Sequence, residues 1–137
     1  MNRWFYTQLW RIAPPLIRHY LKKRAVKSPA YLYHWGERFG EPFDRPVQHP
    51  IWVHAVSVGE TRAAQPLVEA LRRHFPDAPL LMTQMTPTGR AAAKELFPDA
   101  QCRYLPYDKP EWVAQFLKEH SPLFGVLMET EIWPNLM

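Results

Sequence analysis

The chain has 137 residues, 47% hydrophobic and 22% charged, a size for one folded domain with a real core rather than two. Its one cysteine, Cys102, excludes an internal disulfide framework and a multi-cysteine metal site and points to a reducing compartment. The net charge of +4 is unevenly placed: residues 1–30 hold seven basic side chains and no acid, and the other 107 hold ten basic and thirteen acidic ones, so a nucleic-acid-binding domain loses its main support.

The basic stretch opens the chain and has a pattern. On a helical wheel Phe5, Leu9, Ile12, Leu16, Ile17 and Tyr20 fall on one side, with Arg11, Arg18 and Lys22 on the other. The uncharged run from Ile12 to Ile17 is too short to span a bilayer, and no small-residue cleavage site follows it. Pro14 and Pro15 predict a kink or break near the middle of the helix. Residues 1–24 therefore read as a segment lying in the plane of an anionic membrane surface, and the same pattern also fits a helix packed on a partner domain. From Ser28 to Pro50 periodicity is weak and four prolines punctuate the chain, which predicts a linker and loop region anchored by Tyr31, Tyr33, Trp35 and Phe39. The expected division is residues 1–30 as the membrane-associating segment and 31–137 as the folded domain.

After Pro50 strand and helix signals alternate. Strands are predicted over Ile51–Val56, Leu80–Met85, Gln101–Leu105 and Leu123–Met128, and helices over Glu60–His74, Thr86–Leu96 and Lys109–His120, with Thr86 as N-cap and Pro87 in the first turn. This β-α-β-α-β-α-β order implies an α/β fold, a Rossmann-like parallel sheet with helices on both faces. Such a domain usually has another strand or two, so the chain reads as truncated after Met137, with an exposed sheet edge.

In an open parallel sheet, ligands bind beyond the carboxyl ends of the strands. Three segments fall there. In His54-Ala-Val-Ser57-Val-Gly59-Glu60-Thr61, Gly59 permits a tight turn and Glu60 sits at a helix N-terminus, where an ionised carboxylate can serve as a general base; the plainer reading makes Glu60 and Ser57 helix caps. In Thr83-Gln-Met-Thr86-Pro-Thr88-Gly89-Arg90, hydroxyls and first-turn amides form a candidate phosphate site, or an ordinary cap with a solvated arginine. In Glu129-Thr-Glu131-Ile-Trp133-Pro134-Asn135, two carboxylates on an extended segment point the same way, and Trp133 either packs against a sugar or joins the core. No GxGxxG or HExxH pattern occurs, and His54, inside a strand, reads as a hydrogen-bonded core residue.

Taken in order, Tyr33-His-Trp35-Gly36-Glu37-Arg38-Phe39-Gly40, Trp52-Val-His54-Ala-Val-Ser57-Val-Gly59-Glu60, Thr86-Pro-Thr88-Gly89, Tyr104-Leu-Pro106-Tyr107-Asp108 and the Glu129–Asn135 segment resemble the successive N-terminal motifs of the Kdo (3-deoxy-D-manno-octulosonic acid) transferases. The resemblance implies a GT-B glycosyltransferase of two Rossmann-like domains at the cytoplasmic face of the inner membrane. It would transfer Kdo from the donor CMP-Kdo to a lipid A precursor in lipopolysaccharide biosynthesis, with inversion and with no cofactor or bound metal. It also implies Glu60 as the base, with Ser57, Gly59, Thr86, Thr88, Gly89, Arg90, Glu129 and Glu131 on the acceptor side, and the donor held by a C-terminal domain that this chain lacks, so that the chain alone would not catalyse transfer. Two other classes fit the same residues: a membrane-surface binding module without catalysis, and a different GT-B transferase on the same scaffold.

Overall fold

The computed structural model describes residues 2–128 and 133–136. Four short strands form one parallel sheet: β1 (Ile51–His54), β2 (Leu80–Gln84), β3 (Gln101–Tyr104) and β4 (Phe124–Leu127), in the order β3-β2-β1-β4. Ile51 lies opposite both Leu80 and Phe124, so β1 is the central register strand. The chain steps outward from β1 to β2 to β3, then returns to lay β4 on the other side of β1. That reversal is a topological switch point, where open α/β sheets form their binding crevice.

Alternation along the strands separates two cores. Val53, Leu80, Met82 and Cys102 face Ala64, Val68, Ala93 and Phe97, from the two helices that follow β1 and β2. Trp52, Leu81 and Leu105 face Phe116, from the helix before β4. Helices therefore cover both sheet faces, as expected. The interior strands are buried at every position, whereas β4 is only half-buried.

The helices are α1 (Arg3–Leu9), α2 (Ala13–Lys27), α3 (Trp35–Arg38), α4 (Val58–Ala63), α5 (Gln65–His74), α6 (Pro87–Leu96) and α7 (Pro110–His120). Two expectations are revised and a third is narrowed. The helix expected over Glu60–His74 is two, because Pro66 has no amide to donate and its ring opposes the carbonyl four residues back, so the chain turns at Ala64 and restarts. The kink or break expected near Pro14 and Pro15 is a break, at 10–12: the prolines occupy the first turn of α2, where amides have no intrahelical partner. The stretch from Ser28 to Pro50 is not a bare loop, since it carries a 3-10 turn at Pro29–Leu32 and α3, with Arg38 and Phe39 buried. Among the described residues no helix is long and apolar enough to cross a membrane.

Candidate functional site

At the carboxyl edge of the sheet the loop after β1 and the loop after β2 lock together. The Val56 carbonyl accepts the Met85 amide at 3.1 Å and the Thr86 hydroxyl at 3.3 Å. Thr86 caps α6 by accepting the Gly89 amide at 3.0 Å, as its residue type and the proline after it predict. Gly89 is buried, and a Cβ there would lie 3.0 Å from the Val56 carbonyl oxygen and 3.1 Å from Ser57 Cα. Its role is therefore close approach of the two loops.

Glu60 stands on the third residue of α4, partly exposed, and its Oε2 accepts the Val56 amide at 2.7 Å. This satisfies a donor just outside the helix start, in the manner of a capping carboxylate. Oε1 has no hydrogen bond among the described residues. The carboxylate is thus held by one oxygen at the switch point and presents the other. Ser57 is the N-cap residue, yet its side chain makes no cap bond; its carbonyl accepts both the amide and the hydroxyl of Thr61. Gly59 is helical, and a Cβ built on it meets nothing within 4 Å, so no tight turn requires glycine here. The surface beside Glu60 is left open.

Arg90, expected on the acceptor side or else as a solvated cap side chain, is not solvated. Arg90 is buried and forms a two-pronged ion pair with Glu37, Nη2 donating to Oε1 at 3.2 Å and Nη1 to Oε2. Glu37 Oε2 also accepts the Tyr104 amide at 3.1 Å, which ties α3 to the end of β3 and to α6. Thr88 is exposed, 3.5 Å from the Thr86 hydroxyl. Glu129 and Glu131 lie outside the described residues. Trp133 takes the core alternative: it packs on the Trp52 cluster and edge-on to His54, at 5.9 Å between ring centres. His54 is buried, with Nδ1 2.7 Å from the Thr83 hydroxyl, which also accepts Trp52 Nε1 at 2.8 Å.

Several residues at this edge carried no signal by type or spacing. Arg38 is 1% exposed, its guanidinium 3.9 Å above the Tyr104 ring, with Nε and Nη2 lacking hydrogen-bond partners. Gln84 is fully buried at the end of β2 with both amide atoms unpartnered. Asp108 is buried and accepts the Asn135 amide at 2.9 Å, while its carbonyl accepts Asn135 Nδ2 at 2.7 Å. Burial pushes the Asp108 carboxyl up, and the Asn135 amide partly offsets that. Asn135 Oδ1 in turn accepts the Thr7 hydroxyl at 3.1 Å, which fastens α1 to this edge. Among the described residues no group of three His, Cys, Asp or Glu side chains could hold a metal ion.

Comparison with known proteins places this arrangement among relatives. A family model described as 3-deoxy-D-manno-octulosonic-acid transferase (kdotransferase) matches residues 33–137. The chain is similar to the 3-deoxy-D-manno-octulosonic acid transferase of Bordetella pertussis, at 44% identity over all of this chain and 34% of that protein. It is also similar to the protein of the same name from Haemophilus influenzae, at 40% identity over all of this chain and 33% of that protein. A probable mitochondrial 3-deoxy-D-manno-octulosonic acid transferase of Arabidopsis thaliana is 34% identical over 90% of this chain and 28% of its own length. The chain thus spans about a third of the length of these curated relatives.

Proposed function

The chain belongs to the 3-deoxy-D-manno-octulosonic-acid (Kdo) transferase family, and from that premise we propose that it is the acceptor-side part of a GT-B glycosyltransferase transferring Kdo from CMP-Kdo to a lipid A precursor in lipopolysaccharide synthesis. The observation that carries the site is Glu60: a carboxylate at the switch point, anchored through Oε2 by the Val56 amide, its other oxygen accepting no hydrogen bond among the described residues. Such a group accepts the proton of an acceptor hydroxyl as that oxygen bonds to the anomeric carbon of Kdo. The bond from that carbon to the CMP phosphate oxygen breaks on the opposite face, which gives inversion and releases CMP. One base suffices for this sequence, and electrostatic help to the departing nucleotide belongs to the donor side.

The open surface at Gly59 gives the acceptor a path to Glu60, and Ser57, Thr86, Thr88 and Gly89 shape the rim. Arg90 acts through Glu37, holding α3 and α6 in place. Glu129 and Glu131 are assigned to ordering the acceptor by the family motif alone. The first 24 residues bring the enzyme to the cytoplasmic face of the inner membrane, where a lipid acceptor lies; support comes from the exposed side chains of Trp4, Phe5, Leu9, Ile12 and Leu16 beside a run of uncompensated basic residues.

CMP release from CMP-Kdo with a lipid A precursor, measured on the natural full-length protein and its Glu60→Gln variant, tests the assignment. A fall of about a hundredfold or more is expected. Undiminished activity would keep the family reaction and move the base to Glu129 or Glu131, and no activity in either protein would favour a membrane-surface binding module.

A further inference from the structure

Between α2, α3 and the start of α6 lies a cavity of about 200 Å³ whose polar lining is Tyr20, Arg24, Tyr31, Arg38, Thr86 and Tyr107. Among the described residues no acid lines it. It adjoins a larger recess of about 420 Å³ that shares Tyr20, Arg24 and Tyr31 and adds Lys23 and Lys27, again without an acid among the described residues. A concave surface to which the described residues bring four cations and no carboxylate has a positive potential, focused by its low-dielectric walls.

The arrangement of Arg38 is the telling feature. A buried guanidinium is costly unless its donors are satisfied and its charge is balanced. Arg38 has the cation–π contact with Tyr104, yet Nε and Nη2 are unpartnered and none of the ion pairs among the described residues includes it. Its neighbour Glu37, the nearest carboxylate in sequence, is fully engaged by Arg90 and the Tyr104 amide. The guanidinium carbon lies 5.9 Å from the centre of the Tyr31 ring, and Arg24 reaches the same ring at 4.9 Å, so both arginines converge on the cavity. Arg24 also donates to the Tyr20 hydroxyl at 2.9 Å, which steadies an otherwise exposed side chain. On the sheet side Thr86 stands at the N-terminus of the ten-residue α6, where the helix dipole favours negative charge.

We propose that this cavity is a phosphate-monoester subsite in which Arg38 and Arg24 grip the anion and the tyrosine hydroxyls complete its hydrogen bonds. Arg38 supplies the planar fork that matches phosphate oxygens, and its unpartnered donors find their acceptors only when the anion is bound. The identity of the phosphate's bearer rests on the reading under Proposed function: either the phosphorylated glycolipid acceptor or the headgroup of a neighbouring anionic lipid. The anion site itself rests on the geometry, and can be measured without donor or turnover.

The test is titration of the natural full-length protein with inorganic phosphate and with glucosamine 1-phosphate, followed by calorimetry. Saturable binding is expected, weakened about tenfold in Arg38→Met, which loses a charge-assisted contact. Because removal of a buried arginine can disturb folding, Arg24→Gln carries the decision: it should weaken binding several-fold with an unchanged melting temperature. Absence of saturable binding, or binding equally strong in Arg24→Gln and in a folded Arg38→Met, would overturn the subsite. Two further arms separate the sources. A raised KM in Arg24→Gln for the phosphorylated acceptor, and not for the same acceptor with its phosphate removed, supports the subsite with the acceptor as bearer. Weakened flotation with phosphatidic acid vesicles at unchanged KM supports it with a lipid headgroup as bearer.

Discussion

At the scale of single residues, His120 shows how a buried polar group sets a pH limit. It is fully buried at the end of α7, with Nδ1 2.9 Å from the Val47 carbonyl and Nε2 3.2 Å from Nη1 of Arg103. A guanidinium only donates, so Nε2 accepts and Nδ1 carries the proton: the ring is held neutral. Burial pushes its pKa below the ordinary value of 6.5, and the Val47 carbonyl offsets part of that. The unfolded chain therefore takes up a proton first, and stability falls as pH drops below 6.5. Glu119, held below its ordinary value of 4.5 by Gln115, Arg103 and the Phe43 amide against the opposing effect of burial, adds its own loss only in a more acidic window. His120→Gln keeps one donor toward Val47 and one acceptor toward Arg103 without a titrating ring. Thermal melts from pH 7 to pH 5 should therefore show the natural protein losing stability and the variant staying nearly flat; parallel profiles would remove His120 as the cause.

At the scale of elements, two glycines, each in the first turn of the helix after a strand, have opposite roles. Gly59→Ala adds a methyl into open space on a helical residue, so it should leave stability unchanged or raise it by up to about 1 kcal/mol, while lowering activity where the acceptor passes. Gly89→Ala drives a methyl against the Val56 carbonyl and Ser57, and should destabilise by about 1–3 kcal/mol and move the loop that anchors Glu60. Denaturant midpoints with CMP-release assays on both variants check the pair; equal destabilisation would contradict the geometry. The sheet and its crossover helices were legible because short apolar runs bounded by Pro, Asp and Gly permit few alternatives, and Thr86-Pro87 states its own cap. The split at Ala64 was equally written in Pro66 but was outweighed by the apolar spacing around it. What was not legible is α3, a four-residue helix made by distant partners: Glu37 with Arg90, and the Arg38 carbonyl with the Tyr107 amide at 3.0 Å. For the same reason the burial of Arg38, quoted only within a family motif, was not legible, since nothing in residue type or spacing says that an arginine will be buried. The position of Glu60 after the first strand, at a helix start, was readable, but the strand order that makes this place a switch point and the anchoring bond to Val56 were not.

At the scale of the whole molecule, the basic N-terminal helices α1 and α2 leave large apolar side chains facing outward, unlike an ordinary core helix. Their inner stripe is Trp10, stacked on Tyr107 at 6.0 Å, with Pro14 and Leu21 buried and Arg18 4.7 Å above the Phe39 ring. The apolar side read from the sequence points outward instead: Ile12 is 64% exposed and Leu16 68%, with Phe5, Leu9 and Tyr20 beside them. A row of large apolar side chains left in water, flanked by Arg11, Lys22, Lys23 and Lys27, is what the proposed membrane contact rests on, because a bilayer interface would take both the apolar surface and the charge. Each apolar side chain moved from water into the interface contributes roughly 1.5–3 kcal/mol at most, so replacing two by glutamate removes enough to be decisive. Ile12→Glu with Leu16→Glu should lower flotation on phosphatidylglycerol vesicles about a hundredfold or more, at an unchanged melting temperature because neither side chain is packed on the body. Binding of the natural protein should weaken with added salt and on pure phosphatidylcholine, whereas the apolar contribution persists there. If the double variant floats as well as the natural protein, the outward row is not the membrane contact and must be covered by a partner helix; a variant that floats poorly but retains turnover on detergent-dispersed acceptor would place the tail in delivery to the surface rather than in the reaction.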